Sequence, residues 1–319
     1  MNAATNSNRL CLLPIVCAIF LSAVFLLPRL AIATEGGGTS KALGVDNVLA
    51  GMMPPPGLNL TNFLAFYTAS HTLDSSGNDR PNLSNFDLFV TAETLRLRYV
   101  LPGVTLLGAN IETRFGFNAV TDINVSFDVH TPRGTFHLQD DTTNVGDSLF
   151  GLILGWHSKY FHQMLGPEVF IPTGRFSAAA LANTGRGYWS VGPSYWFTWT
   201  PLAKLEISGS LIYLINFENP DSHYASGDEL SLDYLIGYWL TRDLQFGLNG
   251  YAYKQVADDE VRGHVVGDGN RGQVVAFGPM LRWHPHDARW GVVFKWQHEE
   301  AVENRASGER FLFQAAWQF

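Results

Sequence analysis

From Glu309 to the carboxyl terminus, Phe311, Phe313, Ala315, Trp317 and Phe319 fall on one face of an extended chain, with Arg310, Gln314 and Gln318 on the other. Side chains alternate along a strand, so this segment carries an apolar face that something must cover. A soluble sandwich covers it with a second sheet. In an outer-membrane β-barrel lipid covers it, and a chain that stops on an aromatic residue after an amphipathic strand has the form of such a barrel's closing strand. The same period of two recurs upstream. Leu205, Ile207, Gly209, Leu211, Tyr213 and Ile215 oppose Glu206, Ser208, Ser210 and Asn216, while Leu230, Leu232, Tyr234, Ile236 and Tyr238 oppose Glu229, Ser231 and Asp233. Leu107, Ala109, Ile111, Thr113, Phe115 and Phe117 oppose Asn110, Glu112, Arg114 and Asn118 in the same way. Aromatic residues collect at strand ends, where a barrel places its interfacial girdles.

Beyond Ala33 no uninterrupted apolar run reaches the length that a membrane helix needs. A helix requires about 20 such residues, whereas a barrel strand requires about 9–11 with every second one apolar. At the amino terminus, Arg9 precedes the uncharged run Leu10–Leu27 and Ala31-Ile32-Ala33 follows it. Residues 1–33 therefore read as a secretory signal peptide cleaved after Ala33. Cys11 and Cys17 leave with it, which excludes disulfide scaffolds, thiolate zinc sites and cysteine nucleophiles from the mature chain. Without Arg9 and Arg29, the 21 basic residues fall to 19 against 29 acidic ones, a net charge of about −10. Nucleic acid, which needs a basic face, is not an expected partner.

Turn spacing sets the strand number. Short turns at Pro102-Gly103, Thr200-Pro201-Leu202, Thr241-Arg242-Asp243 and His284-Pro285-His286-Asp287 alternate with long polar connections near 70–85, 173–187, 218–227, 258–271 and 300–308. Barrels keep short turns in the periplasm and long loops outside. Strand directions alternate consistently if 119–145 is an extracellular hairpin or an extension of the third strand. The reading is then all-β: a transmembrane antiparallel up-and-down barrel of twelve strands over 58–319. Residues 34–57 form a periplasmic lead or plug, with Met52, Met53, Pro54, Pro55 and Pro56 as the candidate plug because their prolines favour extended polyproline geometry.

Met52-Met53-Pro54-Pro55-Pro56-Gly57, Gly151-Leu152-Ile153-Leu154-Gly155-Trp156-His157, Phe170-Ile171-Pro172-Thr173-Gly174, Ser226-Gly227-Asp228-Glu229, Gly247-Leu248-Asn249-Gly250-Tyr251 and Gly269-Asn270-Arg271-Gly272 resemble the meta-pathway phenol degradation proteins, from about Val45 to Phe319. The resemblance implies an outer-membrane protein associated with aromatic breakdown, in uptake rather than catalysis. It implies outer-membrane lipid around the barrel and the barrel assembly machinery as a partner, which would read Phe319 as an assembly signal. It brings no catalytic residues.

Within the barrel reading, Trp196, Trp239, Tyr251 and Tyr253 fall in inward registers, where they either line a path for a small hydrophobic or aromatic solute or fill space. Arg96, Arg98, Glu112, Arg114, Glu206, Asp233, Arg282, Lys295 and Glu299 also point inward and carry both signs, which favours cross-strand pairing over a selectivity ring. Gly267-Asp268-Gly269-Asn270-Arg271-Gly272 has the spacing of a dinucleotide loop, but a strand follows it instead of a helix, so it reads as a tight extracellular turn. Asp258-Asp259-Glu260 offers the hard oxygens that calcium takes, yet such loop runs are ordinarily solvated. His284 and His286 read as solvated, no Gly-x-Ser-x-Gly elbow is present, and no metal or cofactor is assigned. The expected function is passive passage of small hydrophobic or aromatic compounds across the outer membrane of a Gram-negative bacterium. The alternatives are a non-conducting surface-binding barrel and an outer-membrane lipid hydrolase.

Overall fold

The computed structural model describes residues 37–319, so the signal peptide and the start of the lead lie outside the described residues. Alternation does become strand. In chain order these are β1 (Gly57–Thr72), β2 (Leu83–Leu106), β3 (Ala109–Thr131), β4 (Gly134–Asn144), β5 (Ser148–His157), β6 (Phe161–Ile171), β7 (Ser190–Leu202) and β8 (Leu205–Asn216). There follow β9 (Tyr224–Ala225), β10 (Glu229–Trp239), β11 (Leu244–Gln255), β12 (Glu260–Val261), β13 (His264–Val265), β14 (Gln273–Trp283), β15 (Trp290–Glu303) and β16 (Ala306–Gln318).

Antiparallel pairing runs β2-β1-β16-β15-β14-β11-β10-β8-β7-β6-β5-β3, and β2 also pairs with β3, so twelve strands close on themselves. The seam is β1 against β16, with Asn59 opposite Gln318 and Phe66 opposite Phe311. Closure removes every free edge from the hydrocarbon region, where an unpaired backbone group is costly. Among the described residues no helix is long and apolar enough to cross a membrane.

β3 explains how 119–145 fits into twelve strands. Its residues 110–117 pair with β5, and its residues 121–131 pair with β4 instead. The segment is thus an extension of the third strand together with a hairpin, as the turn count required. At about 3.3 Å per residue a strand of 23 residues far exceeds a hydrocarbon core of about 30 Å, so this flap stands clear of the barrel. It does not stand alone, because Asp140 accepts the amides of Leu181 and Ala182 from the connection between β6 and β7.

Three turn positions differ from the sequence reading. The β2–β3 turn is Leu107-Gly108, with φ of 53° and 74°, and the Pro102-Gly103 region is instead a register break between Val100 and Thr105. A two-residue hairpin favours positive φ at both central positions, which places Leu107 in the turn and off the lipid-facing strand surface. The β7–β8 turn lies just after Leu202. The polar stretch 300–308 is not a loop: β15 and β16 run on as strands, and only residues 304–305 connect them, with Asn304 at φ 53°.

The apolar registers face outward. Leu211, Tyr213, Ile215, Leu230, Leu232, Ile236, Phe294, Phe313 and Trp317 are all exposed. Rings interlock across that surface, with Phe294 and Phe313 centroids 5.0 Å apart and Trp283 and Trp290 5.2 Å apart at the short-turn end. The inward registers meet the lead. Leu43 packs with Tyr251, Tyr253 and Val302, Val45 with Phe63 and Leu312, Val48 with Leu235, Met280 and Val293, and Ala50 with Ile153, Met164 and Trp196. The lead thus enters each of four apolar clusters on the wall.

Candidate functional site

The lead threads the lumen. Thr39 hydrogen-bonds Glu229 and Ser40 lies 2.8 Å from Ser190 Oγ, both at the long-loop end, whereas Gly51 N donates to Thr198 Oγ1 at 3.0 Å near the short-turn end. Between them the backbone is held by wall side chains because an irregular chain cannot satisfy its own N–H and C=O groups. Asp233 accepts Gly44 N at 2.9 Å and Asp46 N at 3.1 Å and pairs with Lys41 at 2.9 Å. Lys295 Nζ donates to Gly44 O at 3.1 Å, Val45 O at 2.9 Å and Asn47 Oδ1 at 2.6 Å. Glu206 accepts Leu49 N at 2.7 Å, and Arg310 donates to Leu43 O at 2.6 Å. Gly44 is required on two counts: its φ is 74°, and a Cβ there would sit 2.4 Å from the Gln297 amide.

The Met-Pro segment is placed differently from the candidate plug of the sequence reading. Thr39 to Gly51 fill the lumen, and Met52 to Pro56 lead out of it. Met53 still packs on the cluster around Trp196, while Pro55 and Pro56 are exposed. The extended prolines form the hinge into β1, where Asn59 Nδ2 donates to Pro55 O at 3.1 Å.

All nine inward charges face the lumen, where some pair with one another along and across strands and Arg96, Asp233 and Lys295 bind the lead. Arg98 grips Glu112 with two bonds of 2.9 and 2.6 Å, Arg114 reaches Glu112 at 2.9 Å and Glu168 at 3.3 Å, and Arg282 lies 3.7 Å from Glu206. Glu299 accepts the hydroxyls of Tyr251 at 2.5 Å and Tyr67 at 2.7 Å. Among the arginines of this set, Arg96 takes its carboxylate from the lead, from Asp46.

Each of the four inward aromatics carries a guanidinium on its face. Arg114 lies 4.4 Å from the Trp196 ring centre, Arg282 5.0 Å from Trp239, Arg310 5.4 Å from Tyr251 and Arg305 4.5 Å from Tyr253. Strand direction spreads them along the wall, with the tyrosines toward the long-loop end and Trp239 at the short-turn end. A cavity of about 50 Å³ remains between lead and wall, lined by Asp46, Arg96, Arg98, Arg114, Trp196 and Gln314 among others.

Sequence reasoning missed Lys41, Asp46, Asn47, Glu168, Arg305 and Arg310. Lys41, Asp46 and Asn47 sit in a polar stretch without strand period, which reads as a linker. Their only signal is the spacing of Leu43, Val45 and Val48 among polar neighbours. In the outer loops, Asp258 pairs with Arg271 at 2.7 Å, and Asp259 accepts Gly227 N at 2.9 Å and the Tyr224 hydroxyl at 2.5 Å. Gly267 and Gly269 have φ of 56° and 98° in a turn before β14, as the sequence suggested. His286 is exposed and His284 half-buried, with His284 Nδ1 2.8 Å from Trp290 O.

Residues 69–315 match the family described as "Putative MetA-pathway of phenol degradation". The chain belongs to this family. Among solved structures the phenol-degradation-family barrel is similar to an outer membrane channel from Pseudomonas putida F1, at 14% identity and a TM-score of 0.67, covering 84% of this chain and 97% of that one. That likeness shows the barrel fold of outer-membrane proteins. The NanC porin (10% identity, TM-score 0.44, 82% of this chain and 100% of that one) and a FadL homologue from Pseudomonas aeruginosa (11%, 0.36, 92% and 99%) are more distant and carry no argument. No curated protein matches the chain.

Proposed function

We propose that this barrel is a passive channel for small hydrophobic or aromatic compounds in the outer membrane of a Gram-negative cell, closed by its own lead. The observation that carries the reading is the polar seam between Thr39–Gly51 and the wall. Leu43, Val45, Val48 and Ala50 make apolar contacts at separate points, and between them the lead is held by hydrogen bonds and ion pairs that water can replace. With the lead docked, the cavity of about 50 Å³ is too small for a ring. A benzene-sized guest takes about 150 Å³, so passage requires the lead to shift.

Once it shifts, the inward aromatics are available at little cost. A guanidinium on a ring face contributes about 0.5–1 kcal/mol at a solvated site, and an aromatic solute stacked there contributes about 0.5–1.5 kcal/mol. Exchange of one for the other is nearly neutral, as a conducting path needs. The chain contributes no energy source beyond the solute gradient.

Vesicles with lipopolysaccharide in the outer leaflet, which itself resists apolar solutes, test this. Protein-dependent phenol flux with little arabinose flux is expected, and a variant lacking Thr39–Gly51 should pass both. Absence of phenol flux in either protein would sink the channel reading. It would leave the surface-binding reading, for which the projecting β3–β4 flap is the supporting observation.

A further inference from the structure

Three guanidiniums line the cavity beside the lead, but their partners differ in kind. Arg98 and Arg114 are neutralised by Glu112 and Glu168, which belong to β3 and β6, and Glu168 is completed by the Ser194 hydroxyl at 2.9 Å. That network stays whole whatever the lead does. Arg96 takes its carboxylate from Asp46, so displacement of the lead leaves a largely buried cation without its anion. Its Nε has no hydrogen-bond partner, and neither does Oε1 of Gln314, which lines the same cavity. Below the guanidinium lies the Phe63 ring, 5.0 Å from Arg96 Cζ. A planar cation with an unused donor, an amide beside it and an aromatic face beneath it suits a carboxylate attached to an apolar group.

We propose that Arg96 is a carboxylate-binding residue of the lumen, that Asp46 occupies it as a tethered stand-in, and that among small apolar or aromatic solutes those carrying a carboxylate are preferred. Such a solute eases the shift of the lead by taking the place of Asp46. This rests on the channel reading for the direction of travel, but the site itself is defined by binding. The cavity of about 50 Å³ has space for a carboxylate group and not for its ring, so the acid end enters first and the ring follows as the lead withdraws. Competition between a tethered and a free carboxylate also explains how a closed channel answers one class of solute while excluding neutral polar ones.

Benzoate and phenol share a ring and differ in the group that Arg96 would read. Their binding is measured at pH 8 by tryptophan fluorescence, since Trp196 lines the cavity. The wild type should prefer benzoate, and Asp46→Asn should tighten benzoate about tenfold, the scale of one charge-assisted hydrogen bond, with little change for phenol. Arg96→Gln should abolish the preference. If Arg96→Gln fails to yield a folded, heat-modifiable barrel, Arg96→Lys keeps the charge and loses the planar fork, and the preference should shrink in it. Equal binding of benzoate and phenol to Asp46→Asn, or a preference that survives Arg96→Gln, overturns the proposal. Benzoate preference without flux in lipopolysaccharide vesicles supports the site and removes the channel reading instead.

Discussion

Lys295→Met tests what holds the lead in place. Lys295 is fully buried, and its ammonium makes three bonds, all to the lead: Gly44 O, Val45 O and Asn47 Oδ1. Methionine keeps the length of the side chain and removes the donor. A bond from a charged donor is worth about 1.5–3 kcal/mol, but removing the buried ammonium also removes its desolvation cost, and water in the lumen can serve the freed carbonyls. A net loss of about 2–4 kcal/mol in lead docking follows from these opposing contributions. At a factor of ten per 1.4 kcal/mol, amide exchange of the lead should accelerate roughly 30- to 700-fold. The reporters are Gly44 N and Asp46 N on Asp233, Leu49 N on Glu206 and Gly51 N on Thr198, read against strand amides of β10 and β11 by hydrogen exchange in detergent. Unchanged exchange at those four amides would refute the idea that Lys295 fastens the lead. Uniform acceleration across the wall would assign Lys295 to barrel stability instead.

Replacing Tyr251 and Tyr253 together with alanine should lower the ratio of aromatic to sugar flux in vesicles, because it removes two inward rings and the Tyr251–Glu299 bond while the lipid face is untouched; an unchanged ratio assigns both rings to space filling. Deleting Phe319, whose amide donates to Leu58 O at 3.2 Å beside the closing seam, should reduce the amount of barrel in the outer membrane severalfold, read by surface labelling. Normal surface levels would remove Phe319 from assembly. Asp140, outside the membrane, is held below the usual carboxylate range by the amides of Ala182 and Leu181, so its contribution is present above the unfolded pKa near 3.9 and is lost as pH falls through the folded value. Exchange of those two amides, corrected for intrinsic rate, should rise on acidification below about pH 4, and Asp140→Asn should already exchange fast at pH 7.

The strand faces were legible because a membrane barrel imposes one rule on every strand, and Leu205 to Ile215 obey it without interruption. Trp196 and Tyr251 were legible for the same reason, as large residues in registers otherwise held by serine and asparagine. Leu107 was not, because a period-two pattern continues through a two-residue hairpin, and only backbone geometry separates the last strand residue from the first turn residue. The stretch 300–308 misled in the opposite sense. Ala301 at φ 50° and a shift of register against β14 interrupt the alternation there, while pairing persists. The lead was the least legible part. Its conformation is dictated by Asp233, Glu206 and Lys295 on strands far away in sequence, and nothing local in Lys41 to Gly51 announces them.

That separation orders the birth of the protein. Gly44 precedes every strand in the chain, yet its partner Lys295 lies 251 positions later, on β15, and Leu43 waits for Arg310 on β16. Contacts across such spans are the slowest to form. The receptacle for the lead does not exist until the final hairpin has folded and the β1–β16 seam has shut. The first segment made is therefore the last to gain its full set of partners.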